Sequence, residues 1–130
     1  DDFAGTGQQA CEAWDETIQE LLPENPNAYL ILIMASTCAK ENIEKETELS
    51  VNPYSFLSET DNIFSPRCNQ FTSKEKKTIL KYCRKASTRY PRGHGDCGFV
   101  VVFSHNCPND SIPILHVFHR GWEGLFRRYD

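Results

Sequence analysis

The feature that most constrains the fold is an uninterrupted apolar run, Ala28-Tyr-Leu-Ile-Leu-Ile-Met-Ala35. Pro23 and Asn25-Pro26 precede it, and the charged segment 40–48 follows it. The run is too short to cross a bilayer and is typical of a strand buried on both faces. Strands of this kind lie in sheets that are covered by helices, so the run predicts an α/β or α+β fold.

Other segments extend this prediction to a small sheet packed by two helices. Phe99 to Phe103 is a second continuously apolar run, and 112–117, which is apolar apart from Pro113 and His116, predicts a third strand. Thr6-Gly7-Gln8-Gln9 and Thr72-Ser73-Lys74-Glu75 have the spacing of capping boxes, which mark helix starts. We therefore predict buried strands at 28–36, 98–104 and 112–118, and helices at 8–22 and 72–89.

The segment after the first strand is less regular. Residues 40–48 are charged and predict a solvated loop or helix, and Asn52-Pro53 predicts the start of a short helix that runs toward Asp61. A chain of 130 residues is near the commonest domain size, so a single compact domain is expected over residues 1–130. The chain begins Asp1-Asp2-Phe3, which indicates a processed mature protein or an excised fragment.

The cysteines favour a secreted protein. Their number is even, they are spread over the whole chain, and no CxxC pair occurs. This pattern predicts three disulfides of unknown pairing in an oxidising compartment, whereas six buried thiols would indicate a cytoplasmic protein. The cysteines are Cys11, Cys38, Cys68, Cys83, Cys97 and Cys107. Asn109-Asp110-Ser111 is a glycosylation acceptor, which also fits secretion.

Charge is divided unequally along the chain. Residues 1–65 hold thirteen acidic and two basic side chains, a net charge of −11, and residues 66–130 hold five acidic and twelve basic, a net charge of +7. The segment 74–92 is rich in Lys and Arg and contains a single Glu. Such a basic helix is expected either to contact an anionic partner or to be an ordinary solvated face.

The histidines do not predict a metal site. His116 and His119 are three residues apart, and on a strand they would point to opposite faces. His94, Cys97, His105 and Cys107 match no zinc-module spacing. No metal and no cofactor are therefore expected.

One region carries a resemblance. The segment 94–105 consists of His94-Gly-Asp-Cys97, four further residues, two apolar residues and Ser104-His105. This pattern resembles the histidine motif of caspases. Weaker similarity extends over 28–125 and includes Phe71-Thr-Ser-Lys-Glu75 and Phe118-His-Arg-Gly121. The resemblance implies a caspase large-subunit core in which His105 is the general base toward a cysteine nucleophile.

The chain departs from the caspase pattern at several positions. Asn106 stands where the family has Gly, and no Gln-Ala-Cys-x-Gly motif follows His105. The similar stretch Gln9-Ala-Cys-Glu-Ala13 lies before the histidine, and 37–60 lacks the arginine and Gly-Thr-Asp of the family. The resemblance therefore implies a pseudoenzyme or part of a larger catalytic unit.

The function predicted first is that of a small secreted, disulfide-stabilised domain that binds a protein or a small ligand and is not an enzyme. Arg, Trp and Tyr dominate binding energies at interfaces, so the aromatic and basic tail is the candidate interface. Its residues are Arg120, Trp122, Phe126, Arg127, Arg128 and Tyr129. The alternatives are the caspase-like domain and a small hydrolase that uses His105, His116 or His119 and the basic helix.

Overall fold

The computed structural model describes residues 2–24, 26–119 and 121–126. Helices and parallel strands alternate in the first half of the chain, and the fold is α/β, as predicted. The chain divides into two compact units, residues 1–58 and residues 59–130. No helix within the described ranges is long and apolar enough to cross a membrane.

The first unit is built on a three-stranded parallel sheet with the strand order β1-β2-β3. Ala4 lies opposite Ala35, and Ser36 lies opposite Leu57, so the carboxyl ends of all three strands lie at one edge. The elements are β1 (Phe3–Ala4), α1 (Gln8–Ala13), a π-helical segment (Trp14–Ile18), α2 (Gln19–Leu21), β2 (Ala28–Ser36), α3 (Thr37–Glu46) and β3 (Leu49–Leu57). The helix predicted at 8–22 therefore forms, with a π-helical turn inside it.

One face of this sheet carries the core of the unit. Leu32 and Val51 on the strands are buried with Trp14 and Ile43 of the helical layer. The strand predicted at 28–36 is confirmed, but the expectation that both its faces are buried is wrong. Ile31 on the opposite face is 72% exposed.

The short helix predicted at Asn52-Pro53 is also wrong, because this segment is the middle of β3. Buried Leu49 and Val51 alternate with exposed Ser50 and Asn52, which is the period of a strand. β3 lies at the edge of the sheet, where the missing N–H of Pro53 disturbs no central ladder. Residues 37–46, which include most of the charged segment, form α3.

The second unit packs one long helix against irregular chain. Its elements are a 3-10 turn (Glu59–Asp61), α4 (Ser73–Ala86), a second 3-10 turn (His94–Asp96), β4 (Phe118–His119) and β5 (Trp122–Glu123). β4 and β5 form an antiparallel pair. The core consists of Ile63, Cys83, Cys107, Ile112 and Leu115. The predicted capping box at the start of α4 is confirmed, and the helix is three residues shorter at its C-terminus than the predicted 72–89.

The strands predicted at 98–104 and 112–118 do not form, although one residue of each segment takes part in a β-pairing. Phe99 and Ser111 form an isolated parallel bridge, and Phe118 belongs to β4. The Ser111 hydroxyl holds Val101 in place of a ladder of backbone hydrogen bonds. Its Oγ accepts from Val101 N at 3.1 Å and donates to Val101 O at 2.8 Å. Beyond Ile112 the chain turns, since Pro113 has no N–H to donate and its carbonyl accepts from His116 N at 3.2 Å.

Candidate functional site at the carboxyl edge of the parallel sheet

A short glycine-rich turn joins β1 to the first helix. β1 ends at Ala4, the turn is Gly5-Thr6-Gly7, and α1 begins at Gln8. The turn lies at the carboxyl edge of the sheet, beside the junction of β2 and α3 at Ser36. In open α/β sheets, ligands bind outside the carboxyl ends of the strands, so this edge is the candidate functional site of the first unit.

The carbonyl groups of the turn are held by the protein. Gly5 O accepts from Ser36 Oγ at 2.5 Å, Thr6 O accepts from Asn42 Nδ2 at 3.1 Å, and Gly7 O accepts from Cys11 N at 3.1 Å. Ser36 Oγ also accepts from Ala39 N at 2.8 Å and so caps α3. One side of the turn is therefore fixed to the end of β2 and to α3.

This anchoring sets the direction of the backbone N–H groups. In a trans peptide the carbonyl of one residue and the N–H of the next point to opposite sides. Because the carbonyls of Gly5 and Thr6 point toward Ser36 and Asn42, the N–H groups of Thr6 and Gly7 point away from these residues. Successive N–H groups at the start of a helix form a concavity that binds anions.

Gly7 is required for this geometry. Its φ is +79°, in the left-handed region that favours glycine. A Cβ at this position would lie 2.8 Å from Ile43 Cγ1 and 3.0 Å from Ala39 O. The turn can therefore lie against α3 only because residue 7 has no side chain.

Polar and acidic groups flank the turn. Thr6 Oγ1 accepts from Gln8 N at 3.3 Å, which leaves the hydroxyl hydrogen of Thr6 able to donate to an anion. Asp2 lies directly before β1, where its backbone carbonyl accepts from Met34 N at 3.1 Å. The turn thus offers N–H donors and a hydroxyl at the carboxyl edge of the sheet, and the carboxylate of Asp2 precedes the same strand, β1.

The predicted catalytic histidine is not part of the first unit. His105 belongs to the second unit, is exposed, and stacks on Phe103 with ring centroids 5.8 Å apart. His116 Nε2 lies 3.3 Å from Ser111 O, and His119 Nε2 lies 3.0 Å from Ala86 O near the end of α4. The histidines named in the hydrolase alternative thus contact different parts of the chain. The caspase resemblance stays a prediction.

His94 and Cys97 share a carboxylate. Asp110 Oδ1 lies 3.8 Å from His94 Nδ1 and accepts from Cys97 Sγ at 3.7 Å. Burial raises the pKa of Asp110 above its ordinary value, although the nearby His94 opposes this shift. No group of three or more His, Cys, Asp or Glu residues in the described ranges could hold a metal ion.

The predicted interface residues fall partly within the described structure. Trp122 is half-buried in β5, its ring centroid lies 6.4 Å from that of Tyr82, and its buried indole N–H has no hydrogen-bond partner among the described residues. Phe126 is exposed, and its N–H donates to Leu115 O at 2.7 Å. Arg120, Arg127, Arg128 and Tyr129 lie outside the described residues. Asn109, the predicted glycosylation acceptor, is exposed on a turn.

The cysteines do not form the predicted disulfides. All six lie within the described ranges, and each is a thiol. Cys68, Cys83 and Cys107 are buried, Cys11 and Cys97 are half-buried, and Cys38 is exposed at the start of α3. Half of the cysteines therefore act as small apolar core residues rather than as cross-links.

The sequence interpretation missed the turn at the carboxyl edge. It assigned Thr6 as the helix cap, but Gly7 occupies that position, and Thr6, the residue before it, accepts from Gln8 N through its Oγ1 at 3.3 Å. The signal was present in Asp1-Asp2-Phe3-Ala4-Gly5-Thr6-Gly7, where an acidic pair and a Gly-x-Gly turn open a helix. It was weak because β1 is only two residues long, so no apolar run marks a strand before the turn.

Comparison with known proteins identifies a family. A family model described as PRTase-CE matches residues 1–128. No curated protein and no solved structure matches the chain significantly. The match points to a phosphoribosyltransferase-like family and so overturns the prediction of a secreted binding domain, and the six thiols overturn the predicted disulfides.

Proposed function

The chain belongs to the PRTase-CE family, and on that premise we propose that it is part of a phosphoribosyltransferase-like enzyme. Such an enzyme moves a ribose 5-phosphate group from a diphosphate leaving group to a nucleophile. The single observation that carries the proposal is the Gly5-Thr6-Gly7 turn, whose N–H groups point away from the anchored carbonyls at the carboxyl edge of the sheet.

In this proposal the turn holds the 5-phosphate. The N–H groups of Thr6 and Gly7 and the Thr6 hydroxyl donate to phosphate oxygens, and the start of the helix favours the negative charge. Ser36 and Asn42 are positioning residues, because they hold the carbonyls of Gly5 and Thr6 and so orient the donors. A preformed turn loses little conformational entropy when the phosphate binds.

The acidic residues before β1 bind the sugar. A carboxylate accepts hydrogen bonds from ribose hydroxyls, as acidic residues do in other nucleotide-binding α/β folds. Asp2 is two residues upstream of the end of β1, in the segment that leads directly into the turn. We therefore assign the phosphate to Thr6 and Gly7 and the ribose hydroxyls to Asp2.

The test is calorimetric titration of the 130-residue chain with two probes, ribose 5-phosphate and inorganic phosphate. Thr6→Ala removes one hydrogen bond to a charged group and is expected to weaken the binding of both probes about tenfold. Asp2→Asn is expected to weaken ribose 5-phosphate about tenfold and to leave inorganic phosphate unchanged.

Matched controls come from the π-helical segment of the same unit. Thr17→Ala and Asp15→Asn make the same chemical changes at exposed positions away from the turn and are expected to bind both probes like the parent chain. The proposal is wrong if the parent chain binds neither probe, or if Thr6→Ala binds both as tightly as Thr17→Ala does.

A further inference from the structure

The second unit carries a cationic surface that the proposed transferase site does not use. We call it the basic face of α4 and define it by Lys74, Lys77, Lys81, Arg84 and Lys85, all of which are exposed. Lys81 and the buried Cys83 are two residues apart, so they lie about 200° apart around the helix. The basic face is therefore opposite the side of α4 that packs into the core.

The basic face is not neutralised by the part of the chain that the structure describes. No described carboxylate lies within ion-pair distance of any of its five cations. Glu75, the one acid of the helix, accepts instead from the N–H and hydroxyl of Thr72. Lys76 lies off this face, and its ammonium donates to Ser65 O and Cys68 O, each at 2.6 Å.

The arrangement of the cations fits a linear polyanion. From Lys74 to Lys85 the charges extend over about 16 Å of helix, at 1.5 Å per residue. Lysine is a flexible point charge that pairs with phosphates without strict geometry. Spaced phosphates along a strand match such a row better than a single phosphate does.

A membrane surface fits this helix poorly. An interfacial helix must insert an apolar face into the lipid. The apolar side of α4 is occupied, because Cys83 and Ala86 are buried and Ile79 packs against the core of the second unit. Only the charged side of the helix is left for a partner.

Two exposed tyrosines each lie beside a cation, Tyr82 beside Lys85 of the basic face and Tyr90 beside Arg89, which follows the helix. Tyr82 is 46% exposed with Lys85 Nζ 5.4 Å from its ring centroid, and Tyr90 is 40% exposed with Arg89 Cζ 5.0 Å from its ring centroid. Aromatic rings beside a basic row are the stacking platforms of proteins that bind single strands. A base in a duplex is already stacked and cannot use them.

We propose that the basic face of α4, together with Tyr82 and Tyr90, binds single-stranded nucleic acid. The lysines contact successive phosphates, and the tyrosines stack on bases. This inference is independent of the proposed transferase site, because it uses residues of the second unit only.

The test is the fluorescence anisotropy of a labelled oligothymidylate of about 20 nucleotides with the full chain. Affinity is expected to fall as NaCl rises from about 50 to about 200 mM, because binding releases counterions. The triple variant Lys74→Gln, Lys77→Gln, Lys81→Gln is expected to bind at least tenfold more weakly. For this variant the slope of log affinity against log salt should be less steep by about 2, because each of the three lost phosphate contacts contributes about 0.7 to the slope.

Three further variants separate charge, stacking and folding. Lys45→Gln changes an exposed lysine of the first unit, and the triple Lys→Arg variant keeps the charge of the basic face, so both are expected to bind like the parent. Tyr82→Leu is expected to weaken binding about tenfold without a change in the salt slope. Circular dichroism of each variant should show unchanged helix content, because the altered side chains are exposed.

The proposal is overturned if the triple Lys→Gln variant binds like Lys45→Gln. It is also overturned if a duplex of the same length, or vesicles of anionic phospholipid, bind more tightly than the single strand. The proposal is likewise overturned if Tyr82→Leu binds the single strand as tightly as the parent chain, because bases then do not stack on Tyr82.

Discussion

At the turn between β1 and α1, single hydrogen bonds determine the direction of the backbone carbonyls. Ser36 Oγ joins two elements, because it donates to Gly5 O and accepts from Ala39 N. One hydroxyl thus fixes the turn and caps α3. Sequence inspection finds Ser36 as a residue that follows an apolar run, but it cannot find its partner at Gly5, which is 31 residues away.

Gly7→Ala is expected to destabilise the protein by about 2 kcal/mol or more. The left-handed backbone at φ +79° costs an alanine about 1–2 kcal/mol, and its Cβ would also meet Ile43 Cγ1 at 2.8 Å. Urea unfolding followed by circular dichroism measures the loss. Gly121→Ala is the matched control, because φ is +96° there and no atom of the described residues lies within 4 Å of the added Cβ. Equal losses in the two variants would show that the contact with Ile43 has no effect.

Among the elements, α4 is the one that local sequence determines best. Thr72 and Glu75 form a capping box between neighbours in the chain, so no distant contact is needed to predict it. β3 is the opposite case. Asn52-Pro53 has the local chemistry of a helix start, but the pairing of Leu30 with Val51 along β2 makes the segment a strand. Local signals failed where tertiary pairing competed with them.

The cap of α4 is expected to depend on pH. Hydrogen bonds from Thr72 N–H and the Thr72 hydroxyl lower the pKa of Glu75 below its ordinary value. A lowered pKa means that the contribution to stability is present above the ordinary glutamate pKa of about 4.3 and is lost as pH falls through the folded-state value. The measurement is thermal unfolding of the parent chain and of Glu75→Gln from pH 7 down to pH 3. The parent should lose the stability contributed by the cap as the pH falls, and the variant should not.

Thr72→Ala removes the other half of the cap and is expected to cost about 1 kcal/mol at pH 7. Urea unfolding of the variant gives this value directly. Ser73→Ala changes the next exposed residue without touching the cap and serves as the control. A Thr72→Ala variant as stable as Ser73→Ala would contradict the role of the box.

For the whole molecule, the α/β class followed from alternating apolar and helical segments, but the distribution of burial did not. The run 28–35 of β2 is apolar throughout, but on the face opposite Leu32 only Ala35 is buried, Ile31 is 72% exposed, and Tyr54 on β3 is 93% exposed. A strand that is apolar on both sides does not reveal from its sequence which side the helices cover. In the second unit, the apolar run 99–103 packs through the Ser111 hydroxyl rather than through a neighbouring strand.

All six cysteines are expected to react as thiols when the chain is denatured without reductant. Alkylation followed by mass spectrometry should show six adducts, since each cysteine is a thiol in the structure. In the native chain Cys38 should react first because it is exposed, and Cys83 should be protected because burial raises its pKa to about 11. Cys38→Ser should remove the fast phase. Fewer than six adducts would contradict the thiol state.

The sequence by itself determined the features that depend on near neighbours. These are the strand at 28–36, the helix from Gln8, the capping box of α4 and the unequal charge of the two halves. Only the tertiary structure decided the path of β3, the thiol state of the cysteines and the orientation of the Gly5-Thr6-Gly7 turn. The physical reason is distance along the chain: caps form between residues three positions apart, whereas Ser36 and Asn42 reach the turn from more than thirty positions away.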